Sequence, residues 1–376
     1  DRCSKRTRQR AWRASKPTKN YHVDKAVDEN VQKRRGDYYA IMKKKNFIPL
    51  IYIFAGITLN IPSISIAQNN IYEICNKLED PIEFRNCITS GQSRDETNAE
   101  EFYTRALNSF DSADSLNSIK FINKFLEKSP NAKKGYILRS LIYIYDFSEF
   151  DKALEDIEKA LEIDKNYAYA HALKGELLYF DLGGSFSNSI KYINKGLSLS
   201  PRDPHINFIA ADVLLDNAFV HLDKDKKELA LTYFEKSQIF LKNTLDYMDL
   251  ISYKNVAAEH TFPIDFRYTT TALLGDAKYE LFFLYRDKKQ RELSKKYLNE
   301  AISLYSTAIS IGPTQEEVEK IESDRDLDLI TPADLYRARG NMFSWDKKWN
   351  QACSDWKVSK KYGDKDARDN YREFKC

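Results

Sequence analysis

Phe150-Asp-Lys-Ala153-Leu-Glu-Asp-Ile-Glu-Lys-Ala160-Leu-Glu-Ile-Asp164 sets two small residues seven positions apart, followed by a polar residue, Lys165, five positions later. Seven positions are two turns of α-helix, so Ala153 and Ala160 share a face on which a neighbouring helix can approach closely. The spacing returns at Ser189, Gly196 and Pro201, and at Ala301, Ala308 and Pro313. Partial copies stand at Ser118, Phe125 and Pro130, at Ala230 and Ser237, and at Ala352 and Ser359. Upstream of most copies a second helical stretch carries its own small residue: Ala106, Ser140, Gly175, Ala211 or Gly340. Tyr136 and Tyr143 flank Ser140, His171 and Leu178 flank Gly175, and Tyr336 and Phe343 flank Gly340. These lie four before and three after, on the face of the small residue. His171 is therefore expected in the core. From Ser118, steps of 35, 36 and 41 residues lead to Ala153, Ser189 and Ala230, so the units follow one another in tandem.

These units resemble the tetratricopeptide repeat (TPR), a helix–turn–helix of about 34 residues. The likeness is strongest at 150–164 and in Gly340-Asn-Met-Phe343 with Trp349-Asn-Gln-Ala352-Cys-Ser-Asp-Trp356. It covers roughly 99–313 and 333–376, and it implies an all-α solenoid of antiparallel helix pairs. Departures are visible. The turn within a pair lengthens by one residue in the second unit, two in the third and about seven in the fourth. Residues 244–265 fit no unit, with His260-Thr-Phe-Pro263 reading as a loop. Candidate helices follow at 266–285 and 291–311, and a charged connector at 314–332. The last unit, 333–376, ends in the polar stretch from Tyr362 to Cys376, suited to capping an exposed repeat face.

The N-terminal quarter reads differently. Met42 opens a basic stretch, Lys43-Lys44-Lys45, followed by an apolar run from Phe47 to Ile61 and by Ser65 and Ala67 before Gln68. That order is expected of a signal peptide over 42–67, cleaved between Ala67 and Gln68. The run is short for a membrane span, which needs about 20 apolar residues. Residues 1–41 hold seven Arg and no apolar periodicity, and read as upstream sequence outside the functional chain. Of the 59 basic and 56 acidic residues, 12 and 5 fall in 1–41, and three more Lys in 42–67. The remaining chain therefore carries 44 basic and 51 acidic residues, a net of −7. Such a balance opposes nucleic-acid binding, which draws on phosphate neutralisation.

Beyond Cys3, the cysteines are Cys75, Cys87, Cys353 and Cys376, one pair near each end of 68–376. In an oxidising compartment they are expected to bond as Cys75–Cys87, closing an N-terminal hairpin over 68–98, and as Cys353–Cys376. No CxxC, no Cys–His cluster, no phosphate loop and no GxSxG or HExxH stands in the sequence. His171, His205, His221 and His260 are isolated, and the acids spread along helix faces that read as solvated. No metal or cofactor is expected, and no catalytic residue.

The function expected is an exported binding scaffold for a protein or peptide, periplasmic or secreted, or in a thylakoid lumen if the source is photosynthetic. The alternatives are an assembly subunit of an envelope or photosynthetic-membrane complex and, more remotely, an enzyme with an unrecognised site. The resemblance further implies which face meets the partner, because in tetratricopeptide proteins the first helices of successive units line a concave groove. Offsets around those helices then pick out Lys134, Leu138, Leu141 and Tyr145, next Tyr169, Leu173, Glu176 and Phe180, and next His205, Ile209, Asp212 and Asp216. Leu138 and Leu141 stand where a carboxylate clamp needs polar groups. The floor reads as apolar and aromatic with acids towards one end, suited to a segment with hydrophobic and basic side chains.

Overall fold

The computed structural model describes residues 96–112, 114–250, 267–319 and 330–376. Residues 1–95, and with them the signal peptide, Ala67, Gln68, Cys75, Cys87 and most of the 68–98 hairpin, lie outside these ranges. Helices in chain order are α1 (Glu96–Asp111), α2 (Ser115–Lys128), α3 (Lys133–Ile142), α4 (Phe150–Ile163), α5 (Ala168–Phe180), α6 (Phe186–Leu199) and α7 (Pro204–Asp223). They continue with α8 (Lys227–Leu250), α9 (Arg267–Asp287), α10 (Arg291–Ile311), α11 (Pro332–Trp345), α12 (Trp349–Lys361) and α13 (Lys365–Glu373). The described residues contain no strand.

Each odd-numbered helix from α1 to α11 packs on its successor, and each pair packs on the next. Local chemistry starts the helices. Asp114, Ser185, Asp203 and Asp364 accept backbone N–H bonds at the starts of α2, α6, α7 and α13. Thr331 and Asp334 form a reciprocal capping box at α11, with Pro332 at its first turn.

The small residues of the repeat pattern sit where the helices cross. Ala106, Ser118, Ser140, Ala153, Ala160, Ala211, Ala230, Ser237, Ala301, Ala308, Ala352 and Ser359 are wholly buried. A Cβ on Gly175 would lie 2.7 Å from the Ser189 carbonyl oxygen, and one on Gly196 2.8 Å from that of Ala168. Only hydrogen fits there, so α5 and α6 touch backbone to backbone. Larger rings fill the spaces between: Phe110, Phe125, Tyr169, Phe234, Phe283, Tyr305 and Trp356 are all buried.

The inserted residues do not lengthen every turn, which corrects the sequence reading. The single extra residue of the second unit is absorbed as a π-helical turn, Tyr143–Phe147, continuing α3. A single π-turn lets a helix carry one more residue without breaking. The two extra residues of the third unit do enlarge its turn, 181–185. The seven of the fourth extend the helices themselves: α7 has 20 residues and α8 has 24, and only 224–226 separate them. Ala218, Phe219 and Leu231 are buried on the added turns, so there is apolar surface to hold them helical. Residues 244–250, read as outside any unit, are the end of α8.

The acids are not all solvated. Asp156 and Asp355 are 5 % exposed, and each accepts two hydrogen bonds from an arginine one helix earlier. Arg139 Nε and Nη2 reach Asp156 at 2.7 Å, and Arg339 reaches Asp355 at 2.7 and 2.8 Å. The same bidentate pair thus joins α3 to α4 and α11 to α12, satisfying both charges where burial would otherwise exclude them. At the chain's end α13 packs on α12, with Phe374 stacked 5.3 Å from Trp356 and Ala367 buried. A disulfide joins Cys353 to Cys376 with Cα atoms 5.4 Å apart, tying the tail to the last repeat.

Candidate protein-binding site

The twelve residues expected to face a partner fall on α3 and its π-turn, on α5 and on α7, but burial divides them. Leu138, Leu141, Tyr169, Leu173, His205, Ile209 and Asp212 are buried, and Glu176 retains 9 % exposure. Lys134, Tyr145, Phe180 and Asp216 remain partly exposed. An open floor made of all twelve is therefore corrected to a core with a partly exposed rim. First helices of successive units lie close enough that residues at these offsets pack between them. Tyr169 of α5, for example, meets His205 of α7 edge-on at 6.3 Å, and burial pushes its phenol well up. Lys134 is engaged with the preceding unit, its Nζ 2.7 Å from Glu100 and 4.4 Å from the Tyr103 ring centroid. His171, expected in the core, is half-buried and pairs through Nε2 with the Lys165 carbonyl at 3.0 Å.

What survives at the rim is an aromatic and acidic cluster where α5 ends. Tyr179 meets Phe180 edge-on at 4.9 Å and Phe186 at 6.1 Å. Phe186 continues to Tyr233 of α8 at 5.3 Å, and Tyr233 stacks on His221 of α7 at 5.4 Å. These rings are all half-buried, so each presents an edge or face outward. The Tyr179 hydroxyl donates to Asp216 at 2.6 Å, fixing the ring row against α7.

Beside the rings lie four carboxyl groups. Glu176 and Phe180 share one face of α5, and Asp212 and Asp216 one face of α7, each pair four residues apart. Burial raises the Glu176 carboxyl well above its ordinary range, and Asp212 and Asp181 add to this. Burial, then Asp216, does the same to Asp212. Asp181 is pushed up to about 7 by burial. Among the described residues neither oxygen of Asp212 has a hydrogen-bond partner. Among the described residues no Lys or Arg pairs with Glu176, Asp181 or Asp212. A buried carboxylate with no counter-charge is costly, so Glu176 and Asp212 hold their protons well above the pH at which ordinary carboxyl groups release them. Sequence reading reached Glu176, Phe180, Asp212 and Asp216 but passed over Tyr179, Asp181, Phe186 and Tyr233. The available signal was the Tyr179-Phe180-Asp181 triplet at the end of a helix whose following turn, 181–185, carries two residues more than the repeat requires.

No protein-family model matches the chain. A protein of Methanocaldococcus jannaschii described as TPR repeat-containing is 26 % identical over 214 residues, 55 % of this chain and 32 % of that protein. The chain thus spans about a third of that relative's length. Among solved structures it is similar to PilW, described as a widely conserved type IV pilus biogenesis factor. That likeness has 16 % identity over 72 % of this chain and 96 % of the other, with a TM-score of 0.39. The hetero-tetramer Cut9-Hcn1 of APC/C gives 15 % identity, 81 % and 46 % coverage and a TM-score of 0.44. At these scores the solved structures say nothing of partner or activity.

Proposed function

We propose that this TPR-like helical-repeat chain is an exported, non-catalytic scaffold that captures a protein segment carrying basic and apolar side chains. The segment would lie across the rim of α3, α5 and α7. The observation that carries this reading is Asp212, wholly buried with both oxygens unpartnered, beside Glu176 and Asp181 and a row of half-buried rings. A lysine or arginine from a partner meets the cluster from the rim, at half-buried Asp181 and the edge of Glu176, and so supplies to the interior Asp212 the counter-charge that the described chain does not. Phe180 and Tyr145 offer apolar surface along the rim. Aromatic anchors with a few buried polar contacts are the usual hot spots of such surfaces. Export rests on the order of basic, apolar and small residues over 42–67, and is checked by intact mass: retention of residues 1–67 on the exported protein refutes it.

Binding is checked by fluorescence anisotropy with a labelled peptide of alternating lysine and leucine. Tyr145→Ala with Phe180→Ala should weaken capture at least ~30-fold, the equivalent of about 2 kcal/mol for a hot spot. Circular dichroism controls for folding. Unchanged affinity in a folded double variant sinks the rim as the site.

A further inference from the structure

A second surface of opposite charge lies away from the rim, where α9 turns into α10 beside the end of α11. A hollow of about 490 Å³ opens there, within the 300–1,000 Å³ usual for ligand pockets. Its wall is apolar: Phe282 and Leu298 are buried at 5 % exposure, and Trp345 is half-buried. Its mouth is basic. Lys289, Arg291 and Lys295 are exposed and line the opening, and none of the three is ion-paired among the described residues. Arg286 also lines it, held 4.3 Å from the Trp345 ring centroid and 4.9 Å from that of Phe283.

Two acids nearby are already engaged, and Glu292, next to Arg291, does not line the hollow. Asp346, the one carboxylate on the lining, is 2.7 Å from Lys348, and Asp287 is 2.8 Å from Lys227. The Trp345 indole N–H is buried with no acceptor among the described residues. Four cations therefore surround one apolar hollow, on a chain whose segment 68–376 is net acidic.

We propose that this hollow binds an acidic segment of a protein partner, with glutamate or aspartate side chains at the basic mouth and an adjacent apolar side chain against Phe282, Leu298 and Trp345. The apolar wall distinguishes this ligand from a bare anion, which has no use for it. The turn between α9 and α10 is positioned for the task by paired contacts to the preceding unit, Lys227 to Asp287 and Lys288 to Glu228 at 2.6 Å. The site is separate from the rim of α5 and α7 and takes the opposite charge, so either can fail without the other.

The test uses fluorescence anisotropy with a labelled peptide of alternating glutamate and leucine. Lys289→Glu with Lys295→Glu should weaken it at least roughly tenfold, as loss of charge-assisted contacts does. Lys242→Glu with Lys357→Glu, the same charge change elsewhere on the surface, should leave it within about twofold. Lys289→Gln with Lys295→Gln serves if the reversed variant melts early. Glu176→Gln should leave acidic-peptide binding unchanged, which separates the hollow from the rim. Equal weakening by pocket and control variants overturns the proposal. So does displacement of the peptide by pyrophosphate at a lower concentration than by unlabelled peptide, which would make the ligand a phosphate. Capture of phosphatidylglycerol vesicles in preference to the peptide overturns it equally.

Discussion

Asp212→Asn should make the protein more stable at neutral pH, against the usual direction of a substitution in a buried position. Asp212 has no exposed surface, and among the described residues neither carboxyl oxygen finds a donor. Burial and then Asp216 hold its pKa well above the ordinary value of 3.8. The native state therefore keeps a proton that the unfolded chain has released. Because the folded form binds more protons, stability falls as pH rises above the unfolded value of about 4. Glu176 shifts in the same direction, as does Asp181, whose folded pKa of about 7 places most of its loss between pH 4 and 7. Asparagine has the same shape without the ionisation. Removing the cost of holding that proton in the folded state should yield about 1–3 kcal/mol at pH 7.5, and much less at pH 4, where the unfolded chain's carboxyl is itself roughly half protonated. Urea unfolding followed by circular dichroism at the two pH values measures this, read as the transition of the α5–α8 units because repeats unfold by local terms. A variant equally stable or less stable at pH 7.5, or a gain identical at pH 4, would falsify the account of the cluster.

Two further outcomes follow from packing and covalent structure. Gly175→Ala should cost about 1–3 kcal/mol, because its Cβ meets the Ser189 backbone oxygen at 2.7 Å and the helices must part. Thermal melting at native levels would show that α5 and α6 are not in backbone contact. Cys376→Ser opens a loop spanning 23 residues and should cost about 3 kcal/mol by the loop-entropy relation. Hydrogen exchange should rise first in α12 and α13; a uniform rise along the chain contradicts the local origin of repeat stability.

The helix pairs were legible in the sequence because the spacing of small residues is a packing constraint, and positions such as Ala153, Ala160, Gly175 and Gly340 have few alternatives in a close crossing. The fate of the inserted residues was not legible. One became a π-helical turn, two enlarged a turn and seven lengthened α7 and α8, and the choice depended on whether the neighbouring helix supplied apolar surface. The Arg139–Asp156 and Arg339–Asp355 pairs were missed for a related reason. Each partner alone reads as a solvated charge, and only the 16- or 17-residue separation across a helix pair brings them together. For the candidate site, helical offsets found the right elements but not their exposure. How far Tyr169 or Leu173 stands from the next unit depends on the distance between first helices, which periodicity does not encode.

The central claim is that the carboxyl groups of α5 and α7 serve capture of a basic, apolar segment at some expense of stability. The most direct measurement is the affinity of the labelled lysine–leucine peptide for Glu176→Gln with Asp212→Asn, taken beside the variant's unfolding midpoint at pH 7.5. The account predicts a higher midpoint together with binding weakened at least roughly tenfold, the scale of a lost buried charge contact. A higher midpoint with unchanged affinity would contradict it, leaving the acids without a part in binding.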